Sequence, residues 1–428
     1  MQQKSILSGV RVLSIEQVHV LPWGTAFLAD LGAEVIRVES VEHMNDRAMG
    51  PFADGKAGEA WWNEGGTFAY WNRNKESLCL EVAHPLGKEA FLKLVKRCDV
   101  VCDNFRPGTM RRLGLDHESL ARVNPAIITL SCTAYGHTGP WRAAGARART
   151  VDAASGLTYL TGYEGGPSIR ASSNYMDHNS GNNVAFALLL ALYNKQKTGK
   201  GLRIDLSMQE TGVQSIAPAI LEAQDGYIRP RLGTAHLWKA PHGVFPCQGQ
   251  DRWIAITVSS DQEWQRLRKA MGEPAWSMDA RYGTVTGRWN HRHDLDKLLS
   301  EWTAPQDSKA LMHHLQRCGV TAAAVYTAAD LVADPHLNER SYFEAFDNKN
   351  APAAGPRKLA GRPFRMSNYQ ISLRQVPALG EHNRKLLQEL AGLTDGEIES
   401  LVEQGVLHTT PKPDEPRPQG GGGWGGGG

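Results

Sequence analysis

Asp177 is the residue whose type and position bear most directly on chemistry. It stands in the polar segment Met176-Asp177-His178-Asn179-Ser180-Gly181, just before the long apolar segment 182–201. A carboxylate in front of a helix can accept the free amide hydrogens of the first turn, and the helix dipole favours its charged form. Such a carboxylate can act as a helix cap or as a nucleophile toward an activated acyl group. The local residues leave both roles open.

The common phosphate-binding and nucleophile motifs are missing from the chain. No G-x-G-x-x-G sequence follows a predicted strand, and neither Gly87-Lys88 nor Gly199-Lys200 is followed by Ser or Thr. The G-x-S-x-G nucleophile elbow of α/β hydrolases is absent as well. These absences disfavour NAD chemistry, ATP chemistry and serine hydrolysis.

The histidines and cysteines give no metal-binding pattern. His291, His293 and the pair His313-His314 have no carboxylate or histidine partner at ligand spacing on a clear helix. Of the six cysteines, Cys98 and Cys102 are four apart, and no second pair has comparable spacing. We therefore predict no metal site and buried, reduced thiols.

The first half of the chain alternates between apolar, β-branched runs and segments of helical spacing. This alternation is typical of an α/β fold with a parallel sheet covered on both faces. The predicted strands are 9–15, 33–39, 77–82, 99–105, 126–131 and 202–207, and the predicted helices follow Pro22 and span 84–98, 115–125 and 182–201.

The second half predicts a smaller unit and a separate tail. Residues 225–325 read as an inserted α+β domain with two strands joined by a turn around 248–251. Residues 1–224 and 326–408 then form one large α/β domain. The last segment, 409–428, is rich in Pro and then Gly, which predicts a flexible tail with Trp424 as a candidate docking residue.

Composition narrows the classes of partner. The chain has 428 residues, 41% of them hydrophobic and 21% charged, with a net charge of +2. This is the composition of a folded globular protein, and it offers no basic field for a nucleic-acid backbone. No apolar run reaches the roughly 18 residues of a membrane span, and the start of the chain lacks a secretory pattern. We expect a cytoplasmic protein with neither a nucleic-acid nor a membrane partner.

Four segments, in this order, resemble the class III CoA-transferases, the CaiB/BaiF family that includes formyl-CoA and carnitine CoA transferases. They are residues 9–40, the pair 71–91 and 99–115, residues 124–140 and residues 176–210. Later pieces, HGVFPC, DRWIAI, DLVADPHL and LGEHN, are similar to the same family, so the resemblance covers about residues 7–406. It implies a Rossmann-like large domain that binds coenzyme A, an inserted small domain, and an interlocked dimer.

The resemblance also implies a mechanism for Asp177. The family's catalytic aspartate attacks an acyl-CoA thioester and forms an aspartyl anhydride, and the returning thiolate converts it to an aspartyl-CoA thioester. The acceptor acid then leaves as its CoA ester. This cycle uses CoA and acyl-CoA as substrates and implies no permanently bound cofactor, ATP or metal. We expect amide hydrogens around Ser180-Gly181 to stabilise the oxyanion.

The same resemblance places a coenzyme A site and a substrate contact in this sequence. The formyl-CoA branch carries Gln where this chain has His19, which argues against a formate-sized substrate. We expect Arg111 to be a surface charge and a lid to form around Thr234–His242. The expected site residues are Val18, His19, Arg37, Lys75, Asn104, Phe105, Arg106, Arg112 and Leu113 for coenzyme A, and Tyr135 for the substrate.

The sequence leaves several alternatives for the substrates, the oligomeric state and the reaction. Aromatic residues (Trp23, Trp61, Trp62, Trp71 and Trp238) and basic ones (Arg147, Arg170 and Lys239) favour succinyl-CoA as donor and an aromatic or dicarboxylic acid as acceptor. A homodimer is expected, and one subunit of a heteromeric transferase is an alternative. A racemase acting on α-methylacyl-CoA is an alternative function. Arg147 occupies the position of the histidine that such relatives use, and no His occurs from 138 to 177.

Overall fold

A computed structural model describes residues 5–171, 174–369, 371 and 373–418. They form two compact units. The first comprises the described residues of Met1–Leu157, Ala171–Ile220 and Ser341–Gly428, and the second Thr158–Arg170 and Leu221–Arg340. The predicted domain limits and their functional labels stay a prediction. The glycine-rich end of the predicted tail, with Trp424, lies outside the described residues.

The first unit is built on a parallel sheet of six strands in the order β3-β2-β1-β4-β5-β6. The predicted α/β class and parallel pairing are thereby confirmed. Ile15 of β1 lies beside Asp103 of β4, so the loops that follow these two strands leave the same edge of the sheet. The strands are β1 (Arg11–Ile15), β2 (Glu34–Glu39), β3 (Glu76–Cys79), β4 (Val100–Asp103), β5 (Ile128–Thr133) and β6 (Arg203–Ser207).

Helices occupy the connections between these strands. The short helix predicted within 115–125 is confirmed, and Asp116 caps it by accepting the Ser119 amide hydrogen. Up to residue 224 the helices are α1 (Val20–Asp30), α2 (Trp61–Glu64), α3 (Gly66–Trp71), α4 (Pro85–Val95), α5 (Thr109–Leu113), α6 (His117–Val123), α7 (Ala148–Ala154), α8 (Leu157–Leu160), α9 (Tyr175–Thr198), α10 (Met208–Ser215) and α11 (Ala217–Gln224).

Two apolar cores lie on opposite faces of the sheet. Neighbouring residues of a strand point to opposite faces, and Leu13 accordingly packs with Phe91 of α4 while Val12 packs with Leu28 of α1 and Val184 of α9. The sheet is therefore covered on both faces, as its continuous apolar strands predict. The second core fixes α1 against α9, and these two helices carry the candidate site.

The second unit contains a small antiparallel sheet around its own core. The predicted pair of strands is confirmed as β7 (His242–Pro246) and β8 (Trp253–Thr257), joined by β9 (Thr321–Ala324). Trp264, Leu267 and Leu299 are fully buried in this core. The later helices are α12 (Asp261–Ala270), α13 (Val285–Asn290), α14 (Arg292–Thr303), α15 (Ser308–Arg317), α16 (Ala328–Ala333), α17 (Pro335–Glu339), α18 (Asn383–Glu389) and α19 (Asp395–Glu403). A hairpin of β10 (Phe343–Phe346) and β11 (Arg357–Ala360) belongs to the first unit.

Three further observations concern membranes, metals and thiols. Within the described ranges, none of the helices is both long and apolar enough to cross a membrane. The same residues include no group of three or more His, Cys, Asp or Glu side chains that could hold a metal ion. All six cysteines are free thiols, and five of them are buried, in agreement with the prediction.

Candidate active site

Helix α9 begins earlier than the sequence predicts. It starts at Tyr175 instead of 182, and its N-cap residue is Asn174. Asp177 therefore lies inside the first turn, and its predicted role as the cap is wrong. The amides of Ser180 and Gly181 are helical, and an α-helix directs such amides to carbonyl groups four residues back. They are not free to stabilise an oxyanion, which corrects the expectation for these two residues. The early start agrees with the packing of Gly181, in the second turn, against α1, because tertiary contacts override the weak helix propensity of Asn and Gly.

The buried side chain of His19 lies beside Asp177. Its Nδ1 lies 3.8 Å from the Asp177 Oδ2 atom, and its side chain is fully buried while that of Asp177 is 12% exposed. The imidazole stacks on Trp71 with ring centroids 3.8 Å apart and meets the edge of His178 at 4.4 Å. Aromatic rings thus hold a histidine beside the candidate nucleophile.

Burial makes this histidine neutral. Desolvation, helped by the nearby His178, lowers the pKa of His19 to about 3. A neutral imidazole forms no ion pair with a carboxylate. It still carries one ring N–H that can donate a hydrogen bond.

Two glycines allow α1 and α9 to approach closely enough to form this pair. A Cβ atom on Gly24 would lie 2.7 Å from the Gly181 carbonyl oxygen, and one on Gly181 would lie 2.6 Å from the Val20 carbonyl oxygen. The indole Nε1 of Trp23 donates to Asn182 Oδ1 at 2.9 Å and links the same two helices. The position of His19 relative to Asp177 therefore depends on glycine at both contacts.

Replacing Gly181 with alanine should displace α1 from α9. The new methyl group would also lie 2.7 Å from Trp23 Cδ1, a distance that real contacts do not show. We expect a loss of about 1–3 kcal/mol of folding stability and a drop of roughly tenfold or more in the rate of catalysis. Thermal unfolding and turnover measure the two effects.

Gly396 provides the matched control. It lies in α19, and a Cβ there would meet nothing within 4 Å. Gly396→Ala should leave activity unchanged and raise stability by up to about 1 kcal/mol through helix propensity. Wild-type activity and stability in Gly181→Ala would show that the helix contact does not position the site.

Val18 and Asn104 bring two loops together at the carboxyl edge of the sheet. Val18 has a φ of +61°, a strained conformation for a β-branched residue, directly before His19. Asn104 accepts the Gln17 amide hydrogen at 2.9 Å and donates to the Gln17 carbonyl oxygen at 2.8 Å. Three predicted site residues, Val18, His19 and Asn104, are thus adjacent. Their contacts with coenzyme A stay a prediction.

The segment after β4 contains four of the predicted site residues, which are Phe105, Arg106, Arg112 and Leu113. Both guanidinium groups belong to exposed residues, and Arg112 donates to Thr109 Oγ1 at 3.0 Å. Phe105 and Leu113 pack partly against the apolar core. The exposed arginines remain candidates for a phosphate. Arg111 instead pairs with Asp116 at 3.3 Å and is 75% exposed in its side chain, as expected for a surface charge.

Arg37 and Lys75 lie in a buried ion-pair network. Lys75 Nζ contacts Glu16 Oε1 at 2.5 Å, and the Arg37 guanidinium contacts Glu16, Glu39 and Asp46. Burial lowers the pKa of Lys75 to about 8 in spite of Glu16. These contacts give both cations a structural role. The prediction that they bind phosphate has no support in this arrangement, because buried carboxylates already occupy them.

Tyr135 lines a cavity of about 320 Å³ at the end of β5. Asp205, Ser207 and Gln209 contribute to the same cavity, and the ring of Trp141 meets the Tyr135 ring edge-on at 5.6 Å. Polar side chains thus contribute to the lining of this cavity. Its use by the acceptor acid stays a prediction.

A hydrogen-bonded chain of polar groups runs from β4 to the loop after β5. Asp103 Oδ1 accepts hydrogen bonds from the Phe105 amide and the Ser131 hydroxyl, and Ser131 Oγ lies 2.8 Å from His137 Nε2. Burial raises the pKa of Asp103 to about 7. These groups border a second cavity, of about 500 Å³.

Replacing Asp103 with asparagine should stabilise the protein at high pH. The folded pKa lies above the ordinary value of 3.8, so the unfolded chain releases this proton first as the pH rises from about 4 to 7. Stability is lost across that window, and a neutral amide avoids the loss while keeping Oδ1 as an acceptor. We expect a gain of about 2 kcal/mol at pH 8 and no gain below pH 4. Urea unfolding at both pH values measures it.

An exposed carboxylate serves as the control for this experiment. Asp414 is exposed near the described end of the chain. Asp414→Asn should show no difference between the two pH values. Equal stability of Asp103→Asn and wild type at pH 8 would contradict a buried, proton-retaining carboxyl group.

The tryptophans that the sequence analysis selected lie at three different sites in the structure. Trp23 and Trp71 surround His19, whereas Trp61 and Trp62 belong to another apolar cluster with Phe52. Trp238, in the second unit, is 55% exposed with Lys239 over its ring. The predicted lid around Thr234–His242 stays a prediction.

Sequence reasoning missed two features of the site. The sequence assigns no role to the His178 side chain, yet its ring packs on both His19 and Trp23. Glu16 was not selected at all, although a carboxylate directly after an apolar strand signals a buried charge with partners. The long-range stacking of Trp71 on His19 has no signal in the sequence.

Comparisons with known proteins identify the family of this chain. A family model described as CoA-transferase family III matches residues 7–383. Succinyl-CoA–D-citramalate CoA-transferase of Chloroflexus aurantiacus is 30% identical over 403 residues, covering 94% of this chain and 98% of that protein. The beta subunit of succinyl-CoA–L-malate CoA-transferase from the same organism is 30% identical over 416 residues, with coverages of 94% and 98%.

A solved structure agrees with the sequence comparisons. The crystal structure of a CaiB/BaiF family protein from Brucella suis aligns with a TM-score of 0.81 at 29% identity, covering 91% of this chain and all of that one. The family match spans β1, the loop with His19, and the helix with Asp177. The resemblance read from the four sequence segments is confirmed, and the chain belongs to CoA-transferase family III.

Proposed function

We propose that this enzyme transfers coenzyme A from succinyl-CoA to a carboxylic acid through covalent intermediates on Asp177. The observation that carries the proposal is a buried aspartate in the first turn of α9, beside a neutral imidazole, in a family III chain. A helix N-terminus favours a carboxylate, and the neutral histidine does not cancel its charge. Asp177 thus has the environment of a nucleophile.

The steps follow from the chemistry of a carboxylate and a thioester. Asp177 attacks the thioester carbonyl carbon, the C–S bond breaks, and CoA thiolate leaves a mixed anhydride. The thiolate then attacks the aspartyl carbonyl, which releases the donor acid and forms an aspartyl thioester. The acceptor carboxylate repeats these two steps in reverse order. Each step exchanges bonds of similar energy, so the cycle needs no ATP.

The relatives support the choice of donor and acceptor class. Both curated relatives named above use succinyl-CoA, and D-citramalate and L-malate are dicarboxylates. We propose succinyl-CoA as the donor here and a dicarboxylic acid as the acceptor. An aromatic acid is the other acceptor predicted from the sequence, and Trp23 and Trp71 near Asp177 are the observation in its favour.

The test is an exchange assay with the purified chain. Succinyl-, acetyl- and formyl-CoA are each offered with a panel of small, aromatic and dicarboxylic acids, without ATP, and CoA esters are followed by mass spectrometry. We expect the highest rate with succinyl-CoA and a dicarboxylate. Best activity with formate or oxalate would refute the substrate class. Deuterium uptake at the α-carbon of a branched acyl-CoA, with no acceptor acid present, would favour the racemase alternative.

An exposed apolar stripe on α9 supports the proposed interlocked dimer. Phe186, Leu190 and Tyr193 are 62%, 53% and 60% exposed, and their spacing places them on one face of the helix. Such a stripe on a long helix is typical of a protein interface. The family resemblance makes a second copy the expected partner.

Leu190→Arg should weaken this dimer. Burying an arginine in an apolar contact is costly, so the variant should sediment as a monomer at concentrations where wild type is dimeric. Analytical ultracentrifugation measures this, with Val402→Arg on α19 (49% exposed) as a surface control. A monomeric, inactive wild type that gains activity only with a related second subunit would favour the heteromeric alternative.

A further inference from the structure

His19 is a buried polar side chain without a hydrogen-bond partner. Its side chain is fully buried, and neither Nδ1 nor Nε2 is hydrogen-bonded to any residue that the structure describes. The 3.8 Å to Asp177 Oδ2 is too long for a hydrogen bond. Leaving such a group unpaired costs about 1–3 kcal/mol, so its retention at this position calls for a functional partner.

Three aromatic rings and the Asp177 carboxylate surround the imidazole. Trp71 covers one face of the imidazole, and the rings of His178 and Trp23 meet it edge-on. On the remaining side, Nδ1 lies 3.8 Å from Asp177 Oδ2. An oxygen atom two bonds away from Oδ2, on an acyl group attached there, can come within the roughly 3 Å of a hydrogen bond to this nitrogen.

The reaction creates a negative oxygen at that place. The amides of Ser180 and Gly181, which the sequence suggested as its stabilisers, are committed to the helix. A donor for the oxyanion must therefore be a group other than these two amides, and His19 lies beside the nucleophile with a neutral ring.

We propose that His19 is a catalytic hydrogen-bond donor to the acyl oxygen when Asp177 attacks, an inference that rests on the proposed function of Asp177. As the Oδ2–C bond forms, the C=O electron pair moves onto the acyl oxygen, and the N–H of His19 donates to it. The pair then returns, the C–S bond breaks and CoA thiolate leaves. The proton stays on His19 throughout, so the step balances without an added acid.

A neutral donor suits this task better than a charged one. An imidazolium would pair with Asp177 in the resting enzyme and weaken the nucleophile. The neutral ring makes no ion pair and strengthens its contact only as charge develops on the acyl oxygen, which is the requirement for lowering the barrier.

The test compares two replacements of His19. His19→Phe keeps an aromatic ring that can stack on Trp71 and removes the donor, whereas His19→Gln keeps an N–H donor. We expect the turnover number of His19→Phe to fall roughly 10²–10³-fold with little change in KM, and that of His19→Gln to stay within roughly tenfold of wild type. Thermal unfolding confirms that both variants are folded.

A second readout separates this proposal from the role of Asp177. During turnover of wild type, hydroxylamine should modify Asp177, and its absence would refute the proposed function itself. If wild type is modified, equal losses in both His19 variants, or wild-type turnover in His19→Phe, would overturn the hydrogen-bond donor. The turnover number of wild type should also show no inflection near pH 6.5, and a loss of activity centred there and absent from His19→Gln would overturn a neutral imidazole.

Discussion

Replacing Asp177 with alanine is expected to abolish transfer of coenzyme A. The side chain forms a covalent bond with the acyl group in the proposed cycle, and α9 contains no other carboxylate. Loss of a covalent nucleophile costs roughly four orders of magnitude or more in turnover. Mass spectrometry of the CoA esters formed from succinyl-CoA and a dicarboxylate measures the loss.

The control is binding of coenzyme A. The predicted contacts for this ligand follow β1 and β4, so Asp177→Ala should bind CoA with a dissociation constant close to that of wild type, as measured by calorimetry. His178→Ala removes the adjacent ring and leaves the carboxylate, and it should retain measurable turnover. Transfer by Asp177→Ala at the wild-type rate would refute the mechanism.

The parts of the fold that follow from local pattern were predictable. Continuous apolar strands such as β1 and β5 and the helices between them identify a parallel sheet, because this arrangement buries both faces of every strand. The start of α9 was not predictable in the same way. Its first two turns include Asn179 and Gly181, which have weak helix propensity, and Gly181 packs closely against α1. That contact joins residues far apart in the sequence.

In the candidate site, too, some features follow from the sequence and others depend on tertiary packing. The position of Asp177 came from the resemblance, since an aspartate before a helix fits a cap equally well. For Arg37 and Lys75, the resemblance predicts contacts with a phosphate, whereas in the structure both side chains contact buried carboxylates. The charge of a residue can be read from the sequence, but the group that neutralises it depends on tertiary packing.

Replacing Glu16 with glutamine is expected to destabilise the protein by about 3–5 kcal/mol. Glu16 is completely buried, and its two oxygens contact Lys75 and Arg37 on one side and the hydroxyl groups of Ser14 and Thr25 on the other. Glutamine has a similar shape but no charge. It would leave two buried cations with less compensation, and the desolvation of an unpaired charge is more costly than the loss of the pair itself.

The pH dependence of the unfolding free energy tests whether the charge of Glu16 causes this loss of stability. The cations hold the pKa of Glu16 below its ordinary value of 4.5 in the folded state. A lowered folded pKa contributes stability above the unfolded pKa, and that contribution is lost as the pH falls through the folded pKa. The difference between wild type and Glu16→Gln should therefore be largest near neutral pH and shrink below about pH 4.5.

An exposed ion pair gives the matched control for this prediction. Glu89 contacts Lys93 at 3.3 Å on the surface of α4, with 64% of its side chain exposed. Glu89→Gln should change the free energy of unfolding by less than about 0.5 kcal/mol, because water screens such a pair. The double variant Glu16→Gln with Lys75→Met removes one cation together with the anion and should recover part of the lost stability. If Glu16→Gln were as stable as Glu89→Gln in urea unfolding at pH 7, the buried network would not hold β1 and the segment before β3 together as its contacts indicate.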